Sequence, residues 1–109
     1  KTFTEDELMA QGEQVYGTFC ASCQQPNGQG VPPVFPSLVG SPVVTGPKEG
    51  HIDLILNGVP GTAMQAFGRQ LDAAQIAAVT HYERHAWGNN ADDVTQPADV
   101  VARQEANAQ

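Results

Sequence analysis

Basic residues, cysteines and aromatic residues are all scarce in this sequence of 109 residues, and it holds no long apolar run. Lysine and arginine together number 5 against 12 acidic residues, which gives a net charge of −7. That balance argues against a nucleic-acid-binding protein, which needs a basic face, but it permits a basic protein partner steered by charge. No apolar stretch approaches the roughly 20 residues of a membrane-spanning helix, and no signal peptide is visible. We therefore expect one domain, present as a mature or excised soluble fragment.

The sequence holds two cysteines, Cys20 and Cys23, spaced as Cys-x-x-Cys. Because there is no second pair, a zinc site of four cysteines is excluded. The spacing is typical of a redox disulfide, of half a mixed zinc site, or of covalent haem attachment when a histidine follows directly. Here Gln24 follows Cys23. Glycine and proline number 11 and 8, and a small domain with so much loop usually needs a disulfide, a metal or a cofactor for stability.

Two capping boxes predict where the long helices begin. Thr4 with Glu7 precedes an apolar stripe that contains Gly12, and Asp72 with Gln75 precedes a helix that we expect to run to about residue 87. A glycine inside a helix costs about 1 kcal/mol relative to alanine. Because Gly12 lies on the apolar stripe, we expect another helix to approach the first one closely there.

The region between the cysteines and the second long helix shows no sustained helical period. Prolines and glycines interrupt residues 24–50, yet the region is too apolar for a disordered linker. Its apolar residues are Val31, Val34, Phe35, Leu38, Val39, Val43 and Val44. We interpret it as a loop around an apolar group that the protein does not itself supply. A short helix over 51–57, stopped by Gly58, and a second ordered loop containing Met64 follow it.

Two of the three histidines, His81 and His85, lie four residues apart in the second long helix. A helix brings such a pair within reach of one metal ion, but the sequence offers no third ligand. We therefore expect an exposed, solvated pair on the side of the helix opposite to its apolar face.

Taken together, these features resemble a class I cytochrome c over residues from about 4 to 88. The resemblance is closest to the haem domain fused to subunit II of caa₃-type cytochrome c oxidases. It rests on the runs NGQGVPPVFPSL (27–38), NGVPGTAM (57–64), YER (82–84), AWGN (86–89) and QPADV (96–100). It implies an all-α cytochrome c domain over 1–90, with crossing N- and C-terminal helices and with short helices and loops wrapped around one haem. A polar tail over 91–109 follows, with a short helix over 99–105 that packs back or frays.

The resemblance also implies roles for individual residues. Cys20 and Cys23 would bind one haem c through thioethers, and Met64 would be the distal axial ligand of the iron. A carbonyl of Pro32 or Pro33 would accept a hydrogen bond from the proximal ligand. The remaining haem-binding residues would be Phe35, Leu38, Ile55 and Phe67.

The function implied is one-electron transfer between a redox donor and an oxidase acceptor. The expected location is the periplasm or the outer face of the bacterial inner membrane, and the expected state is a monomer. Copper ligands and membrane helices are absent from the sequence, so it cannot be a whole subunit II.

The sequence departs from the family at Gln24, where the family has histidine. The residue could be a substitution in an otherwise ordinary carrier. Alternatively, Gln24 binds iron through its amide oxygen or leaves the position to water, which gives a module for small ligands or peroxidase chemistry. In a third interpretation a distant histidine, of which His51 is the least excluded, replaces it. We favour Gln24 in the proximal position. A thiol–disulfide protein is a remote alternative, because its Cys-x-x-Cys belongs at a helix start rather than at a helix end.

Overall fold

The structure, a computed structural model, describes residues 2–30, 37–59 and 65–108, and of residues 22 and 23 the backbone alone. The described residues form helices and no strand, which confirms the predicted all-α fold. The helices are α1 (Glu5–Val15), α2 (Ala21–Gln24), α3 (Pro42–Thr45), α4 (Lys48–Asn57), α5 (Ala73–His85) and α6 (Pro97–Asn107), with a π-helical turn over Tyr16–Cys20. None of these described helices is long and apolar enough to cross a bilayer.

Both predicted capping boxes are present at the starts of the long helices. Glu7 N donates to Thr4 Oγ1 at 3.1 Å, and Thr4 N donates to Glu7 Oε1 at 2.8 Å. At α5, Gln75 N donates to Asp72 Oδ1 at 2.8 Å, and Asp72 N donates to Gln75 Oε1 at 2.9 Å. Each box satisfies amide groups that have no partner inside the helix, so the local sequence determines both helix starts.

Helices α1 and α5 cross at Gly12, as the position of this glycine on the apolar stripe predicts. A Cβ atom added to Gly12 would collide with the backbone oxygen of Ala78 and would lie 2.6 Å from Tyr82 Cβ. Real Cβ contacts are not that short, so only glycine permits this approach. The core below the crossing is formed largely by apolar residues of α1, α4 and α5, among them Leu8, Ile52, Ile76 and Val79, each 0% exposed.

The region 24–50 contains more helix than its sequence predicts. Helix α3 is a single turn with proline at its start, and α4 begins at Lys48 rather than at residue 51. A single turn is too short to show a period, and the first turn of α4 carries no apolar stripe. In the opposite direction, α5 ends at His85 instead of residue 87, because Ala86 has an extended backbone (ψ 163°) and Trp87 (φ 56°) adopts a left-handed conformation.

The polar tail forms helix α6 and packs against the domain. It begins two residues before and ends two residues after the predicted range 99–105. Val100 is 0% exposed in the core, whereas Val101 is 43% exposed. Phe3 N donates to Gln96 Oε1 at 3.0 Å, and Gln96 Nε2 donates to Phe3 O at 2.9 Å. The start of α6 is therefore tied to the start of the chain, so of the two predicted outcomes the tail packs back.

Candidate functional site

The Cys-x-x-Cys segment continues from α1 through a π-helical turn. The turn ends at Cys20, and α2 carries the backbone on to Gln24. A π-helical turn adds a residue to the helical register, and such turns occur frequently at functional sites. Phe19 and Cys20 both pack against the buried core from this turn. The sequence predicts an ordinary helix here, because one extra residue leaves no visible trace in so short a stretch.

Backbone hydrogen bonds hold the chain on both sides of Gln24. Gln25 N donates to Ala21 O at 2.8 Å, and Gly30 N donates to Gln24 O at 2.8 Å. Gln25 has a φ of 68°, which ends the helix. Its carbonyl accepts a hydrogen bond of 2.6 Å from the Tyr16 hydroxyl. The position after Cys23 is therefore fixed by main-chain contacts that do not depend on its side chain.

Tyr16 is the centre of an aromatic cluster beside this turn. It is 2% exposed, and its ring centroid lies 5.5 Å from that of Tyr82 and 5.1 Å from that of Trp87. Burial raises the pKa of the Tyr16 hydroxyl, so it stays protonated and donates its hydrogen bond at neutral pH. Trp87 Nε1 donates to Pro26 O at 3.0 Å. These contacts attach the loop after Gln24 to α1 and to the end of α5, and the sequence does not reveal them.

Four of the predicted haem-binding residues meet at one apolar cluster. Ile55 and Phe67 are each 5% exposed and belong to the core, and the half-buried Leu38 and Cys20 pack against it. Phe67 N donates to Ile55 O at 2.9 Å, which ties the loop before α5 to α4. The Phe19 ring meets the Phe67 ring edge to face, with centroids 6.4 Å apart. Residues distant in sequence thus form an apolar wall beside the first cysteine.

The amide oxygen of Gln24 is buried and accepts no hydrogen bond within the described part of the chain. Leaving a buried polar atom unpaired costs about 1–3 kcal/mol, so such an atom calls for a partner. The oxygen belongs to the residue directly after Cys23, where a c-type haem places its proximal ligand. Two cysteines in haem-attachment spacing, the apolar wall beside Cys20 and an unpartnered oxygen donor together fit a haem c group.

Other predicted site residues lie outside the described residues. These are Pro32, Pro33, Phe35 and Met64, together with the side chain of Cys23. Their predicted roles stay predictions. Of the apolar residues in the same loop, Val31 and Val34 also lie outside the described residues, whereas Val44 is 1% exposed in the core, and Val39 and Val43 are 37% and 46% exposed.

His51 is engaged away from the Cys-x-x-Cys segment. Its Nε2 lies 2.7 Å from Glu83 Oε1, and the two residues are 1% and 5% exposed. This buried pair joins α4 to α5, and the sequence shows no sign of it. Nε2 of His51 is therefore engaged by Glu83, while its Nδ1 is buried without a hydrogen-bond partner among the described residues.

The prediction of an exposed pair at His81 and His85 is wrong. His81 is 1% exposed, His85 is half-buried, and their ring centroids lie 4.0 Å apart. Burial, with a further contribution from His85, lowers the pKa of His81 to about 4, so its ring is neutral at pH 7. A helical wheel that assigns a single buried face to α5 does not predict the burial of His81, because residues outside α5 cover that side of the helix.

This helical fold and its Cys-x-x-Cys turn define a c-type cytochrome domain. The chain matches the family model described as "Cytochrome C oxidase, cbb3-type, subunit III" over residues 7–82. Cytochrome c-552 of Thermus thermophilus is 36% identical over 94 residues, which cover 73% of this chain and 70% of that protein. The chain therefore belongs to the cytochrome c family, whose members bind haem c and transfer electrons.

Two further proteins are similar to this chain, one by sequence and one by structure. The cytochrome c subunit of the quinone-dependent alcohol dehydrogenase of Gluconacetobacter polyoxogenes is 34% identical over 107 residues. The match covers 89% of this chain but 23% of that subunit, so the chain spans less than a quarter of that relative. The crystal structure of the c-type cytochrome XoxG from Methylobacterium extorquens AM1 aligns with a TM-score of 0.60 and 18% identity, over 90% of this chain and 66% of that one. This likeness confirms the class I cytochrome c fold.

Proposed function

We propose that this chain is a haem c domain that transfers single electrons, with one haem held through Cys20 and Cys23. In this proposal Met64 is the distal ligand and Gln24 takes the proximal position. The observation that carries it is the buried amide oxygen of Gln24, unpartnered among the described residues and adjacent in sequence to the second cysteine. Membership of the cytochrome c family supports the cofactor, and the apolar wall beside Cys20 supports its position.

In this proposal, different residues of the chain bind the haem and set its reduction potential. A bound haem c supplies an iron that accepts and releases one electron. Ile55 and Phe67, each 5% exposed, exclude water from the wall on which the group would rest. The carbonyl of Pro32 or Pro33 would orient the proximal side chain. Tyr16 holds the Gln25 carbonyl, and this contact keeps the neighbouring Gln24 in place. A hard amide oxygen favours ferric iron more than imidazole does, so we expect a lower potential than that of a His–Met cytochrome.

The redox partners we propose are a respiratory donor and a terminal oxidase, met in the periplasm or at the outer face of the inner membrane. The family description names an oxidase subunit, and the sequence runs resemble the haem domain of subunit II of caa₃-type oxidases. The relative from Gluconacetobacter polyoxogenes is a dehydrogenase subunit, which makes a dehydrogenase the natural donor class. A net charge of −7 favours basic docking surfaces on these partners.

The first experiment establishes the cofactor. The intact mass and the absorption spectrum of the purified chain should show one covalently bound haem, and alkylation should find no reactive thiol. A chain without covalent haem and with two alkylated cysteines contradicts the proposal and favours thiol–disulfide chemistry.

The second experiment tests the proximal position by Gln24→His, which restores the histidine of the family. We expect the ferric absorption spectrum to change from high-spin to low-spin, because imidazole has the stronger ligand field, and the potential to rise, because imidazole is a softer donor than oxygen. Gln25→His is the matched control, since it adds the same side chain one residue further along. Equal spectral changes in both variants, or none in Gln24→His, would refute the role of Gln24.

A haem module that binds small ligands is the second candidate function. The same neutral amide oxygen favours it, because a weak proximal ligand makes an axial position easier to open. Rapid binding of carbon monoxide or cyanide that Gln24→His suppresses would support this function over simple electron transfer. Slow or absent binding would leave the electron carrier as the function.

A further inference from the structure

A cluster of potential metal ligands lies where the start of α1 meets the second half of α5. Glu5 is the first residue of α1, and His81 and His85 lie one turn apart in α5. One ligand atom from each residue lies within 4.8 Å of the other two. The close crossing of the two helices at Gly12 brings Glu5 to the histidines, and for this reason the sequence alone shows no third ligand.

His81 presents a nitrogen that calls for a partner. The residue is 1% exposed, and its Nδ1 makes no hydrogen bond within the described part of the chain. A buried ring nitrogen without a partner is as costly as other unpaired buried polar groups, about 1–3 kcal/mol. Its neighbour His85 lies with the ring centroid at 4.0 Å.

His85 has the hydrogen bonding of a metal-ligating histidine. Its Nδ1 lies 2.8 Å from the His81 carbonyl oxygen, so this nitrogen donates. Metal-ligating histidines nearly always donate their other ring N–H to a carbonyl or a carboxylate, which fixes the tautomer. The remaining Nε2 lies 2.9 Å from the Ala91 carbonyl oxygen. A metal ion bound at Nε2 would take the place of this contact with the Ala91 carbonyl.

The charge around the cluster favours a metal cation. The carboxylate of Glu5 is exposed and makes no hydrogen bond or ion pair within the described residues. Arg84, next to His85, is 2% exposed, and its guanidinium donates to both carboxylate oxygens of Asp93 and to two backbone carbonyls. The positive charge of Arg84 is therefore balanced, and the carboxylate of Glu5 is left to a cation.

We propose that Glu5, His81 and His85 bind one divalent late transition-metal ion of the zinc class, outside the haem site. Two imidazoles and one carboxylate are a common donor set for Zn²⁺, with water at the remaining position. Bonds of about 2.0–2.2 Å to a tetrahedral ion place ligand atoms about 3.4 Å apart. The ligand atoms lie within 4.8 Å of one another, so side-chain adjustments of up to about 1.4 Å bring them to that spacing. The bound ion would fasten the start of α1 to α5 across the helix crossing.

The test is a calorimetric titration of the full haem-loaded chain with ZnCl₂ in a buffer that does not bind zinc. We expect one equivalent to bind at micromolar concentration. Glu5→Gln should weaken binding about tenfold or more, because a neutral amide replaces the charged carboxylate, and His85→Gln at least as much, because it removes an imidazole nitrogen. Asp6→Asn is the matched control: it removes the same charge from the same first turn of α1, is exposed, and lies outside the cluster. Equal losses in Glu5→Gln and Asp6→Asn would overturn the proposal, as would binding at millimolar concentration only.

X-ray absorption at the zinc edge identifies the ligands independently of affinity. We expect only nitrogen and oxygen neighbours at about 2.0–2.1 Å, including two imidazoles, and no sulfur at about 2.3 Å. A sulfur shell would assign the zinc to the cysteines and overturn the site. In the NMR spectrum, ring signals of His81 and His85 should shift on addition of zinc while those of His51, held by Glu83, stay in place. Shifts confined to His51 would likewise overturn it.

Discussion

Gly12→Ala is the substitution whose effect follows most directly from the helix crossing. In an exposed helix interior this change stabilises by about 1 kcal/mol, because alanine loses less backbone entropy. Here the new Cβ would collide with the Ala78 backbone oxygen and lie 2.6 Å from Tyr82 Cβ. A backbone carbonyl cannot rotate away, so α1 must separate from α5. Overpacking costs about 1–3 kcal/mol, and such a rigid neighbour places this case at the upper end. After the propensity gain, we expect a net loss of about 2 kcal/mol in the free energy of unfolding.

Urea denaturation of the haem-loaded chain, followed by far-UV circular dichroism, measures this loss. Gly50→Ala is the matched control: Gly50 lies in α4, and an added Cβ there meets nothing within 4 Å. We expect Gly50→Ala to be neutral or to stabilise by up to about 1 kcal/mol. If both variants gain stability alike, the close approach at Gly12 is refuted. A loss without a change in the urea dependence places the effect in the native state.

Two further predictions concern a hydrogen bond and a pH dependence. Tyr16→Phe removes the 2.6 Å hydrogen bond to Gln25 O, so we expect a loss of about 1 kcal/mol in the free energy of unfolding and an altered haem spectrum. Tyr82→Phe is the control and should change neither, because the Tyr82 hydroxyl makes no hydrogen bond within the described residues. The Arg103 guanidinium, by its hydrogen bonds, lowers the pKa of Asp53 below the ordinary 3.8. The folded state therefore favours the charged carboxylate of Asp53 more than the unfolded state does. The stability that this carboxylate contributes is fully present above pH 3.8 and is lost as the pH falls through the lower pKa of the folded state. Asp53→Asn should therefore be less stable than the natural chain at pH 7, and urea denaturation should show this difference shrinking as the pH falls below 3.8; a difference that stays constant would contradict the reasoning.

Local signals predicted the helix starts and one long-range contact. The capping boxes at Thr4 and Asp72 work through residues three apart, so sequence alone locates them. Gly12 predicted a helix crossing because a glycine on an apolar stripe weakens its own helix, and the close packing of a second helix offsets that cost. His81 was placed wrongly, since its burial depends on what covers α5 rather than on the residues of α5. Glu5 is 76 residues away from His81 in the sequence, and no local pattern links the two.

The haem site separates into a part that the family sequence predicts and a part that the main chain determines. The backbone at Gln24 is held by Gly30 N and by the bond from Gln25 N to Ala21 O, each at 2.8 Å, and the Tyr16 hydroxyl holds the next carbonyl. None of these contacts involves the side chain at position 24. Exchange of glutamine and histidine there should therefore leave the fold unchanged while it changes the chemistry of the iron. It follows that Gln24→His should keep the far-UV circular dichroism spectrum of the natural chain, whereas the absorption spectrum of its bound haem should differ.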